Sequence, residues 1–459
     1  MADAPAAEPF AFPGLPERVI AVLARLTDAG HEAALVGGVV RDRLLGLEHA
    51  GDWDIATSGR PEQVAQLFDG STWQNRFGTV TVGAHPAVEI TSYRTEGSYR
   101  DRRRPEEVQF GASLAEDLAR RDFTINAIAW RPTDLSTASG KLVDPHGGAG
   151  DLQAGVLRTV GNPSERFTED ALRLLRAVRF AGRFGLEIEP ETRVAIVELA
   201  QTVSSVSGER LRDELLRILA GDAPGASLRL LESLGLLRVV LPELVALRGV
   251  PQAKRTPGDA LDHTFAAVDA VPAGSHPDAR LTALLHDLGK ATTLADGHFI
   301  DHERVGAELA RRVLERLRVG RSRLERIVRV IEQHMYHYEP AWSDAAVRRF
   351  VRRVSSLDRE LLFTLRRADN LASGEGEEGD QDQRELEDRI ARELAHQPDL
   401  LLDRRLAIDG HDLQEALGLA PGPQVGEILD RLSEVVLDDP DQNDRETLLR
   451  LARALAEER

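Results

Sequence analysis

Ala34-Leu-Val-Gly37-Gly38-Val-Val-Arg41-Asp42, followed by Asp52-Trp53-Asp54-Ile55, is the stretch on which the reading of this chain turns. Val36 ends a strand, and the paired glycines let the backbone turn tightly before a helix that starts near Val39. Exposed N–H groups at such a turn and helix start form a site for a polyphosphate. Arg41, one turn further on, completes it as a bidentate clamp. Asp52 and Asp54 sit two apart, and on a strand that spacing puts both carboxylates on one face. Two such charges repel unless a divalent cation lies between them, and hard oxygen ligands favour Mg2+. Alone, a Gly-Gly pair is usually a turn and Asp-x-Asp a solvated loop. Fourteen residues apart and in this order, the two point to nucleotidyl transfer. Glu89, in Val88-Glu89-Ile90, is a candidate third carboxylate, with a solvent-facing strand residue as the competing reading.

Outward from this stretch, the first third of the chain mixes strands with helices. Ala33–Val36, Thr79–Val82 and Val88–Tyr93 are apolar or β-branched runs bounded by Gly or Pro. Beyond about Arg158 the pattern turns helical, as in Asp170–Arg183, Pro190–Ala200, Gly208–Leu219 and His302–Arg318. This predicts an α+β head built on a small mixed β-sheet over 1–155, an all-α neck over 156–250, a further module over 251–373 and a helical tail over 374–459. The 459 residues exceed what one core usually serves. A hydrophobic share of 42% beside 29% charged residues excludes a disordered or fibrous chain. No apolar run is long enough for a membrane helix, and the first residues lack the form of a secretory signal. The absence of cysteine removes thiol catalysis, zinc knuckles and disulfides, and it fits a reducing cytoplasm. A net charge of −18 argues by its sum against a nucleic-acid binder. The distribution matters more: all but Lys141, Lys254 and Lys290 of the 58 basic residues are arginine, the better bidentate partner of phosphate.

Five segments then fall in a recognisable order: the glycine turn, Asp52-Trp53-Asp54, Arg120-Arg121-Asp122-Phe123-Thr124-Ile125-Asn126-Ala127, Glu169-Asp170-Ala171-Leu172-Arg173 continuing through Arg176 to Arg179-Phe180, and Glu209-Arg210 through Glu214. Over roughly residues 33–219 the chain resembles the class II tRNA nucleotidyltransferases (CCA-adding enzymes), members of the DNA polymerase beta superfamily together with bacterial poly(A) polymerases. The resemblance implies that Asp52 and Asp54 are catalytic and hold Mg2+. It also implies that Gly37, Gly38, Arg41, Arg121, Asp170, Arg173, Arg176 and Arg179 bind the nucleotide. Asp170 and Arg173 match the pair that reads the base edge. By periodicity alone, the Glu169–Arg183 helix is a solvated face with Glu169–Arg173 and Asp170–Arg173 pairs. The implied partners are CTP, ATP and the 3′ end and acceptor region of tRNA. Tyr93 to Pro105, glycine-containing and charged, resembles the family's flexible loop at full length, which disfavours a CC-only enzyme. An A-adding enzyme or a poly(A) polymerase stays open as the alternative product specificity.

Seven of the thirteen histidines lie between His263 and His337. Leu284-Leu285-His286-Asp287-Leu288-Gly289-Lys290 ends an apolar run, with His263 before it and Asp369 after it. This pattern resembles the HD metal-dependent phosphohydrolase domain. The implied ligands are His263, His286, Asp287 and Asp369, with His302 and His334 as further donors and Mn2+, Ni2+, Co2+, Fe2+ or Mg2+ as the metal. An HD phosphohydrolase with a vestigial head is the alternative of a different class, and a non-catalytic RNA-binding protein is a third. The intact carboxylate and base-reading motifs argue against both.

Overall fold

Strand Val88–Ser92 alternates buried Val88, Ile90 and Ser92 with half-buried Glu89 and Thr91, so one face meets the core and the other a cavity. The computed structural model describes residues 9–457 apart from 50, 75–77, 84–85, 97–107, 253–255, 376–379, 397–400 and 402–404. Most of the loop expected between Tyr93 and Pro105 therefore lies outside the described residues. The chain divides into two compact units after Pro242.

In the first unit the strands around the site are β1 (Pro9–Ala11), β2 (Ala33–Val36), β3 (Trp53–Thr57), β4 (Thr72–Gln74), β5 (Thr79–Val82), β6 (Val88–Ser92), β7 (Arg94–Glu96), β8 (Val108–Phe110), β9 (Ala129–Asp134) and β10 (Ser139–Val143), with a further short pair, Val156–Leu157 and Glu187–Ile188, apart from them. Eight of them form one mixed sheet in the order β1-β10-β9-β2-β3-β6-β5-β4, while β7 and β8 pair separately. Only β3 and β6 run parallel within the large sheet, and their register sets Asp54 beside Glu89. Behind them Ala34, Val36, Ala56, Leu114, Leu118, Ala127 and Ala129 form a buried cluster that fixes β2 and β3 from one side. Trp130 closes the far edge, its indole N–H donating to the Phe10 carbonyl at 2.9 Å.

Nine helices of this unit carry the argument: α1 (Glu17–Asp28), α2 (Gly38–Leu44), α3 (Pro61–Leu67), α4 (Leu114–Ala119), α5 (Gly148–Ala154), α6 (Pro163–Glu169), α7 (Leu172–Phe184), α8 (Pro190–Leu199) and α9 (Gly208–Leu219). Helix α7 buries Leu174, Leu175, Ala177, Val178 and Ala181, and leaves Arg173, Arg176 and Arg179 half-buried on the cavity side. The expected helix from Asp170 begins instead at Leu172. The Asp170 carboxylate accepts the Leu172 N–H at 3.1 Å, so its side chain caps the helix rather than continuing it.

Among the described residues, the regular structure of the second unit is helical apart from the short hairpin Leu294–Ala295 and His298–Phe299. Helix Ala260–Ala270 packs against helices Ala279–Leu285 and Ser356–Ala372, and helix His302–Arg316 packs against Arg321–Gln333. Among the described residues no helix is long and apolar enough to cross a membrane.

Candidate active site

At the end of β2, Gly37 takes φ +72° and enters α2, as expected of the glycine turn. A Cβ at Gly37 would come within 2.6 Å of Arg121 Nη1, so only glycine lets the turn and this guanidinium lie together. A cavity of about 730 Å3 opens here. Its walls include Gly37, Gly38, Arg41, Asp54, Glu89, Arg121, Asp170, Arg173, Arg176 and Arg179, so ten of the site residues expected from sequence in head and neck share one space.

Asp52 is placed differently. It precedes the first residue of β3, and its carboxylate accepts the Ala87 N–H at 2.5 Å. Asp54 and Glu89 lie side by side across the β3–β6 ladder. Burial pushes the Asp54 carboxyl up, and the neighbouring Asp52 adds to that, against the pull of Arg121 and His49. Burial also raises Glu89, helped by Asp54 and Asp52. Crowded carboxylates whose charge is disfavoured until a cation arrives are the donor set that suits a hard divalent ion. Glu89 lines the cavity beside Asp54, half-buried.

The arginines are fixed by carboxylates. Arg41 donates from Nε and Nη2 to Asp42 at 3.0 and 2.6 Å and from Nη1 to Asn126 at 2.6 Å, and it lies over the Phe184 ring. The expected phosphate clamp therefore stands on the wall with several donors already engaged. Arg176 donates to Asp122 at 2.7 Å, and Arg179 pairs with Glu214 and stacks on Phe180. Asp122 is buried, which alone would raise its pKa, but Arg176 and Asn126 hold it down at about 2.

Of the two ion pairs expected from periodicity, one forms and the other is exchanged. Arg173 does pair with Glu169, at 2.5 Å, and also donates to the Arg166 carbonyl at 2.8 Å. Asp170 takes its charge partner from α9 instead, accepting from Arg210 at 2.7 Å. Arg210 belonged to a recognised segment but had no role assigned. Asn126 likewise lay in a recognised segment without a role, while nothing local in the sequence singles out His49.

In the second unit, His263 on helix Ala260–Ala270 faces Asp369 on Ser356–Ala372, Nε2 to Oδ1 at 3.0 Å. His286 and Asp287 follow helix Ala279–Leu285. Gly289 makes room for the turn, since a Cβ there would lie 2.0 Å from the His302 carbonyl oxygen. Asp287 Oδ2 meets His286 at 3.2 Å, His263 at 3.6 Å and Lys290 at 2.6 Å. Its Oδ1 faces His302 at 3.7 Å and His334 at 3.9 Å. The four expected ligands and both extra histidines thus converge. Among the described residues, the buried Nε2 of His302 and Oδ1 of Asp287 have no hydrogen-bond partner, and Nδ1 of His286 and of His302 is held by a backbone carbonyl. Orphaned donor atoms with their other side anchored fit a divalent metal. Burial holds His334 neutral, its pKa lowered to about 3.

The chain is similar to known proteins over most of its length. Residues 33–158 match the poly A polymerase head domain, 185–247 the probable RNA and SrmB-binding site of polymerase A, and 269–394 the HD domain. A CCA-adding enzyme of Bacillus velezensis is 32% identical over 422 residues, 92% of this chain and 93% of that protein. One from Bacillus subtilis is 45% identical over 216 residues, 47% of this chain and 53% of its own length. Among solved structures, the Bacillus stearothermophilus CCA-adding enzyme in complex with CTP superposes with a TM-score of 0.71 at 28% identity, covering 96% of this chain and 97% of that one.

Proposed function

The chain belongs to the family of CCA-adding enzymes, and from that premise we propose how its residues perform the reaction. It is a nucleotidyltransferase that extends the tRNA 3′ end with CCA from CTP and ATP and without a nucleic-acid template. The observation that carries the assignment of residues is the single cavity in which Asp54, Glu89, the Gly37-Gly38 turn and the arginines of α7 meet.

Asp52 and Asp54, with Glu89 beside Asp54, would hold divalent ions of the Mg2+ type. Such ions acidify an attacking hydroxyl and neutralise the leaving pyrophosphate. The RNA 3′ oxygen forms its bond to the α-phosphorus as the α–β bridging P–O bond breaks. Backbone N–H groups at Gly37 and Gly38 and the guanidinium of Arg121 receive the triphosphate. Arg176 and Arg179, locked by Asp122 and Glu214, present fixed positive charge that needs no reorganisation during the step. Arg173 and Asp170 stand at the base edge. Cytosine and adenine each carry an exocyclic amine that a carboxylate accepts, whereas uracil and guanine lack it there. Glu169 and Arg210 keep the two readers apart and aimed. The cysteine-free composition fits placement in a reducing cytoplasm.

In the second unit, His263, His286, Asp287 and Asp369 would hold a divalent transition metal, with His302 and His334 as additional donors. Such a centre suits hydrolysis of a phosphate ester as a separate activity. The test of the main reading is end-point incorporation of labelled CMP and AMP into tRNA lacking its last three nucleotides, tRNA ending in CC, and an unstructured RNA. Both labels should enter the first substrate, AMP alone the second and neither the third, with EDTA abolishing all incorporation. A long A tail on the unstructured RNA would instead identify a poly(A) polymerase.

A further inference from the structure

We propose that His49 is the positioning residue for the Asp52 carboxylate. It fastens the main chain of that residue to α2, and through α2 to the arginines of α7. The inference rests on the reading that Asp52 and Asp54 carry the head metal. Asp52 needs such a fastening because it lies before β3 begins and follows Gly51, which restrains the chain least of all residues.

His49 sits between two acceptors. Its Nε2 faces the Asp52 carbonyl at 2.9 Å and its Nδ1 faces the Asp42 carboxylate at 2.8 Å. The Asp42 side chain is 4% exposed and that of His49 15%, so solvent competes little for either bond. The imidazole is also held edge-to-face against Trp53, with ring centroids 5.6 Å apart.

From Asp42 the chain of bonds continues without a gap. Arg41 donates to Asp42, and its Nη1 donates to Asn126 at 2.6 Å. Asn126 Nδ2 donates to Asp122 at 3.1 Å, and Arg176 on α7 donates to the other oxygen of Asp122 at 2.7 Å. Helix α7 carries Arg173 three residues earlier. One buried polar path therefore joins the backbone that aims a metal-side carboxylate to the helix that meets the nucleotide. Beside the Ala87 N–H that holds its carboxylate, Asp52 is thus tied through its carbonyl to the same frame that sets Arg176.

The test compares wild type, His49→Ala and His49→Gln in the full chain. The glutamine amide offers N–H donors from a single nitrogen, so it can serve one of the two acceptors. Measured are the Mg2+ concentration for half-maximal CMP incorporation, KM for CTP, and Mn2+ affinity from the paramagnetic resonance signal of the free ion. The second-unit site is common to all three proteins, so differences in Mn2+ affinity report the head. Expected for His49→Ala is a rise of about tenfold in the Mg2+ midpoint and an equal weakening of Mn2+. KM for CTP should move less than about twofold, since the arginines remain. His49→Gln should recover part of the loss, and it carries the measurement if the alanine variant does not fold. A Mg2+ midpoint within about twofold of wild type in both variants, or a glutamine variant no better than alanine, overturns the proposal. Asp54→Asn separates the two levels. If it keeps the original rate, the metal reading itself fails. If it is inactive while the His49 variants behave as wild type, only the present inference fails.

Discussion

At the scale of single residues, the head is organised by carboxylates that fix arginines rather than by arginines left free for phosphate. Asp122 shows what this does for stability. Burial opposes its charge, yet Arg176 and Asn126 bring its pKa from 3.8 to about 2. Because the folded value lies below the unfolded one, the stabilisation is fully present above about pH 4 and is lost as pH falls toward 2. The shift corresponds to about 2 kcal/mol. Asp122→Asn should lower the unfolding free energy by about that amount at pH 7, and the gap should shrink below pH 4. Urea denaturation of both proteins across this range checks it; a gap that widens on acidification would contradict the assigned role. Position in sequence disclosed Asp122 as part of a segment, but not this task. Asn126 lies four residues on in the same segment, but Arg176 comes from α7, 54 residues away.

At the scale of elements, helix α7 divides its work between two faces. Leu174, Leu175 and Val178 anchor it in the core, and the arginines at three-residue spacing look into the cavity. That amphipathic period was legible in the sequence, as were β2, β5, β6 and the bounds of α9, because burial of one face imposes a repeat that residue types reveal. The start of α7 was not legible, since a capping carboxylate and a helical one look alike until the Leu172 N–H is placed. Nor was the exchange of Asp170 from Arg173 to Arg210, because pairing across helices depends on tertiary packing. The exchange has a consequence for base choice. Arg173→Ala should reduce kcat/KM for CTP and ATP by roughly tenfold to a hundredfold, the worth of one good base-edge contact. Glu169→Gln should act in the same direction but less, through looser aim of Arg173. Neither should shift Tm by more than a degree or two, because Arg173 lines the cavity rather than the core and glutamine keeps the size of Glu169 and an acceptor for its arginine. Single-turnover incorporation and thermal scans on the same preparations separate aim from folding; a large drop in Tm in either variant would mean that the pair is structural.

At the scale of the whole molecule, two ion requirements and one charge balance remain to be reconciled. The donors in the second unit come from five stretches of chain between His263 and Asp369, so a metal bound there ties together helices far apart in sequence. Mn2+ at a hundred times its dissociation constant should stabilise the folded protein by about 2.7 kcal/mol, and Asp369→Ala should remove most of that gain. Calorimetry with and without Mn2+ measures it, and equal gains in both proteins would place the ion elsewhere. The charge balance is the harder matter, since a chain of net charge −18 handles a polyanion. The first unit resolves it locally by gathering Arg41, Arg121, Arg173, Arg176, Arg179, Arg183 and Arg210 around one cavity. Attraction then acts at short range and is opposed at long range by the acidic surface. Each phosphate neutralised contributes a slope of about −0.7 to −0.9 in log K against log salt. Affinity for tRNA should therefore fall steadily as KCl rises from 50 to 200 mM, a range over which several phosphate contacts lose orders of magnitude. Filter binding across that range decides the point. A flat response would show that shape alone holds the RNA and that the arginines serve only the incoming nucleotide.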